Sequence, residues 1–128
     1  MVRRIYNGTP HSINIIDGSR FDPSIRKYVT TEGKEVTVVA SIPSDGVLSA
    51  VIETAEMEPI NGIPVYGKKI VGIDPLPEGY DVYVVSALYA SAMRQMGGDT
   101  SKLYTVADPV YTEDGRTILG CRGICPAF

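Results

Sequence analysis

His11 is the only histidine of the chain, and it closes the stretch NGTPH at residues 7–11. Cys121 lies near the other end, in GCRG at 120–123, beside Arg122. A thiol and an imidazole brought together form a nucleophile–base pair, and a neighbouring guanidinium lowers a thiol pKa. Catalysis by Cys121 with His11 is therefore one chemistry the residues permit, as a hydrolase or transferase. No third orienting group or oxyanion loop accompanies them, and a single cysteine also serves as a small buried hydrophobe. His11 can equally act as an anion contact or lock its turn by hydrogen bonding. Zinc is disfavoured, because Cys121, Cys125 and His11 give three ligands at best and C-x-x-x-C is not a finger spacing. No metal or cofactor is expected. P-loop and dinucleotide glycine motifs are absent.

Anion binding without chemistry is the other possibility. At Val85-Ser86 an apolar strand runs straight into a helix. The first amides of that helix, at Ala87, Leu88 and Tyr89, have no partner within it and can face a phosphate or carboxylate. Ser86 also fits as a simple N-cap. Arg116 and Arg122 are candidate phosphate ligands. Eight tyrosines and no tryptophan offer stacking rings, with Tyr83 a candidate beside the helix start and Tyr80 expected on the opposite face of the same strand. Asn7, Thr9 and His11 would form a rim. Glu53, Glu56 and Glu58 read as a solvated acidic face rather than a metal site.

These residues need a frame to hold them. The length of 128 residues fits one domain, 1–128, large enough to bury a core without disulfides or metal. Hydrophobic residues make up 44% and charged residues 21%, as in ordinary globular proteins. The net charge of −3 and the scattered basic residues argue against binding a nucleic-acid polymer. No leader-like apolar region follows Met1, and no apolar run approaches the ~20 residues of a membrane helix. The two cysteines read as reduced thiols of a cytosolic protein.

Thirteen glycines and nine prolines cut the chain into short pieces. Strands are expected at 12–17, 35–42, 65–73, 80–85, 102–110 and 116–124, and at 47–57, where a helix is the alternative but the Val, Ile and Thr content favours strand. Turns are expected at 17–24, 43–46, 60–64 and 112–115, with a rigid loop at 74–79 and the 102–110 strand ended by Asp-Pro. One helix fits 86–96, with Leu88, Ala92 and Met96 along one face and Gly97-Gly98 as its stop. The fold class is α+β, predominantly β: about seven short strands in a compact sheet or barrel-like arrangement.

Taken together, Asn7 to His11, the Pro43–Gly46 turn, Gly62 to Val65, Val85 to Leu88 and Glu113 to Gly123 resemble a group of small uncharacterised proteins of tailed bacteriophages and prophages. The likeness covers most of the chain. It implies an origin and no reaction: a soluble protein acting in the cytoplasm of an infected bacterium. Small phage proteins often act without chemistry, some by sequestering nucleotide signals of bacterial defence. A homo-oligomer that holds a small anionic ligand, a nucleotide among the options, is the leading expectation. A protein-interaction module for a host or virion protein is the alternative beside the enzyme.

Overall fold

A computed structural model describes residues 3–30 and 37–128. The fold is predominantly β with one α-helix. Eight strands form a mixed sheet: β1 (Ile5–Asn7), β2 (Ile13–Asp17), β3 (Arg20–Asp22), β4 (Lys27–Val29), β5 (Thr37–Ile42), β8 (Val82–Val84), β9 (Leu103–Tyr111) and β10 (Ile118–Pro126). The order is β1-β8-β9-β10-β2-β5, with β4 on β9 and β3 on β4. Two further strands, β6 (Ala50–Ile60) and β7 (Ile63–Ile73), pair with each other and with no other described strand. The helix, α1, spans Ala87–Gln95.

The sheet curls until its first and last strands nearly meet. Asn7 on β1 closes the gap, its side-chain amide donating to the Ile42 carbonyl at the end of β5. Inside lie Ile13, Val82, Val84 and Cys121, with Ile5, Ile15, Ile42, Tyr104 and Ile124 against them. A second core lies between the sheet and α1: Tyr83, Val85, Leu103 and Leu48 meet Tyr89, Ala90 and Met93. Successive strand residues face opposite ways, so Val82 and Val84 fill one core while Tyr83 and Val85 fill the other. That is why this segment reads as a continuous apolar run. β8, α1 and β9 make a parallel crossover unit, the connection that parallel neighbours require.

Several expectations need correction. β1 was not anticipated, nor were β3 and β4. β3 falls within 17–24, a stretch with strong turn residues, and only three residues pair in each of these strands. The predicted strand 35–42 is observed from Thr37, its first two positions lying outside the described residues. β9 does not stop at Asp-Pro. Asp108 takes φ +50°, and pairing resumes with Pro109 opposite Cys121. The buried face of α1 is Tyr89, Ala90, Ala92 and Met93, while Leu88 and Met96 are about half exposed. Tyr80 precedes β8 and shares a side with Tyr83, their ring centres 6.0 Å apart and Tyr6 against both.

Other expectations hold. Ser86 caps α1 by accepting from the Tyr89 amide. Gly97, at φ +75°, ends it, and the Gly98 amide reaches back to the Met93 carbonyl. Asn61 and Gly62 both take positive φ, 50° and 77°, as a two-residue hairpin turn demands. Among the described residues no helix is long and apolar enough to cross a membrane.

Candidate functional site

The Asn7–His11 turn is built around one buried amide. Asn7 is fully buried and uses its whole side chain. Its Nδ2 donates to the His11 carbonyl at 3.0 Å and to the Ile42 carbonyl at 2.9 Å. Its Oδ1 accepts from the Thr9 amide at 3.0 Å and the Thr9 hydroxyl at 2.6 Å. Asp45 completes the knot: its carboxylate accepts from the Asn7 amide, and its own amide donates to the Asn7 carbonyl. An amide offers two donors and two acceptor sites, and all four are taken. Asn7 is therefore a structural closure and not a ligand contact, contrary to the sequence expectation. Gly8 follows because a Cβ there would lie 2.8 Å from Leu48 Cδ1.

The turn separates two clefts, and Thr9 lies on the wall of both. The first, of about 310 Å³, is lined by Thr9, His11, Ile13, Pro109, Ile118 and Cys121 among others. His11 and Cys121 thus do share one concavity. The geometry is not that of an activated pair. Cys121 is buried, its Sγ lies 3.7 Å from the Asn14 carbonyl as donor, and burial pushes its thiol pKa up. A nucleophilic cysteine needs the opposite shift. Arg122 does not help, because it sits on the other face of β10. There it stacks on Tyr28 at 4.4 Å and pairs with Asp108 at 3.1 Å.

The second cleft, of about 240 Å³, lies between Gly8, Thr9 and Pro10 on one side and Ser86 and Leu88 on the other, with Ser49 and Ala50 at its edge. Here the N-terminus of α1 opens onto the NGTPH turn. The Tyr89 amide is taken by Ser86 Oγ, while the amides of Ala87 and Leu88 have no protein acceptor among the described residues. The Gly8 amide bonds the Val84 carbonyl and the Leu48 amide bonds the Gly8 carbonyl, which locks the turn to the strand feeding the helix.

The remaining candidates lie elsewhere. Tyr83 is 5% exposed, and its hydroxyl donates to the Pro77 carbonyl, so its ring is core and cannot stack on a ligand. Arg116 stands exposed at the β9–β10 turn, its amide donating to Asp114, and lines neither cleft. Ser49, Ile13, Val106, Pro109 and Ile118 line the clefts without having been expected. Only the apolar alternation around Ile13 and Val106 hinted at them. Among the described residues no cluster of three metal-ligating side chains occurs. No protein-family model matches the chain, and none of the curated proteins or solved structures compared with it matches either.

Proposed function

We infer that this is a non-enzymatic, phage-encoded protein that holds a small anionic ligand in the cytoplasm of an infected bacterium, a nucleotide signal of host defence being the class that fits. One observation carries the reading: two segments far apart in sequence, the Asn7–His11 turn and the start of α1, meet across a single cleft. Unpaired helix amides at Ala87 and Leu88 supply the anion end. The Ser86 hydroxyl has its proton free to donate, since its oxygen accepts from Tyr89. Across Thr9, the apolar cleft beside His11 takes the body of the ligand, held by aliphatic side chains and the imidazole rather than by a tyrosine. The raised thiol pKa of Cys121 speaks against the hydrolase or transferase alternative.

Calorimetric titration with inorganic phosphate and with adenosine monophosphate tests the reading. Binding in the micromolar range or tighter, without product formation, is expected. For adenosine monophosphate, His11→Ala and Ser86→Ala each weaken it about tenfold, the first by removing a contact to the body of the ligand and the second an anion-directed hydrogen bond. Arg122→Ala leaves it unchanged. Parent-like binding by both His11→Ala and Ser86→Ala contradicts the site. A second reading, the protein-interaction module, draws on a different region, the exposed β6–β7 hairpin.

A further inference from the structure

The β6–β7 pair forms a sheet of its own. Each strand runs for 11 residues, about 35 Å of extended chain. Lone two-stranded hairpins are marginal in water, yet this one exposes Met57, Ile60, Ile63 and Tyr66, each by more than half, and Val51 nearer its base. Both long edges present backbone donors and acceptors, and no described strand pairs with either. Proline blunts an edge by removing a donor. Here Pro59 and Pro64 do so only at the tip, leaving Val51–Glu58 and Val65–Val71 open to pairing.

Charge selects what pairs there. The β6 strand carries Glu53, Glu56 and Glu58, and the β7 strand carries Lys68 and Lys69. Within one chain Glu53 stands opposite Lys69. None of these five side chains forms an ion pair with a described residue. A β6 edge set against the β6 edge of another copy opposes carboxylate to carboxylate. Two β7 edges oppose ammonium to ammonium. Only β6 against the β7 of a second copy opposes unlike charges, and it repeats the antiparallel direction and charge order already present within the hairpin. Like charges directly opposite destabilise a sheet and opposite charges support it.

We propose that copies of this chain associate through their arms, the β6 edge of one pairing with the β7 edge of the next. The contact is head-to-tail, so it repeats until the rotation closes a ring. Each copy gives two strands to one continuous antiparallel wall, and closure removes both free edges. The exposed apolar side chains of the arm then pack against those of neighbouring arms. This inference does not rest on the ligand reading.

Light scattering on the full chain, with circular dichroism of the tyrosines as a check on the body, tests it. The wild-type chain is expected to assemble, less tightly as salt rises. The variants E53K/E56K and K68E/K69E alone dissociate at least tenfold more readily. Mixed one to one, each supplies the edge the other lacks, and the assembled species returns with copies alternating, although the mismatch inside each hairpin persists. A monomeric wild-type chain at high micromolar concentration overturns the proposal. So does a mixture that stays monomeric while both variants keep the wild-type dichroism.

Discussion

Asn7 and Met57 sit on strands of the same chain, and their surroundings are opposites. Around Asn7 every polar atom has a partner within the molecule: four side-chain hydrogen bonds, two more to Asp45, and a glycine pressed against Leu48. Around Met57 the chain has paired strands, exposed apolar side chains and two edges of unused backbone groups. The barrel-like sheet is closed by its own residues. The arm is left for something else to close. Satisfied polar groups where the clefts lie and open strand edges on the arm thus belong to different parts of one chain, so changes in one region should leave the other largely intact.

The sharpest break in that comparison is Asn7→Ala. It strands the Ile42 carbonyl and the Thr9 amide, at about 1–3 kcal/mol each when buried and unpaired, while the His11 carbonyl keeps the Thr9 hydroxyl as a donor. A stability loss of about 3 kcal/mol or more in urea unfolding is expected, and a loss under about 1 kcal/mol would show that the knot does not close the sheet. Gly120→Ala comes next. Its Cβ would lie 2.4 Å from the Asn14 carbonyl oxygen, an overpacking cost of about 2 kcal/mol readable in the same experiment.

On the arm the effect on chain stability shrinks. In the dissociated chain, Ile63→Ser changes unfolding free energy by less than about 0.5 kcal/mol, as exposed positions do, while weakening assembly in light scattering. A large unfolding effect there would mean that the arm tip packs on its own body. Alkylation with mass readout at mildly alkaline pH should modify the half-buried Cys125 before Cys121, because burial favours the neutral thiol at 121. The reverse order would reopen the case for a reactive Cys121. The smallest effect is in acid. Asp22, Asp99 and Asp114 each accept turn hydrogen bonds that lower their pKa. A lowered folded pKa favours the charged carboxylate, so their contribution is present above the usual carboxylate range and is lost as pH falls through the folded values. Carboxyl titration by NMR reads this directly, and pKa values at or above the ordinary range would contradict the turn geometry.

How far the sequence foretold this differs between the same two regions. The arm was partly legible: Asn61-Gly62 marks the turn, while the first strand moves from 47–57 to Ala50–Ile60 and the second begins at Ile63 rather than 65. The helix start was legible from Ser86, and its stop from Gly97. The helix face was not, because Leu88 and Met96 are apolar yet exposed, while Tyr89 and Met93 turn inward onto Tyr83, Val85 and Leu103. β1, β3 and β4 escaped because three-residue strands have no period to detect. The bounds of β9 were legible to within a residue, but not the left-handed Asp108 that lets pairing continue through Pro109, because it depends on β10. The meeting of His11 and Cys121 in one cleft could be asked but not answered from the sequence, since it depends on the order of strands. The role of Asn7 was misassigned for a related reason. Its partner Ile42 is 35 positions away, and only the closed sheet brings the two together.

Hydrogen exchange of the full chain at low and high concentration tests the contrast between a self-closed sheet and an arm completed by other copies most directly. The amides of β8 and β9 should be equally protected at both concentrations. Those on the outer edges of β6 and β7 should exchange fast in dilute solution and slow as concentration rises, with E53K/E56K abolishing the change. Outer-edge arm amides that exchange at one rate at every concentration would contradict the account.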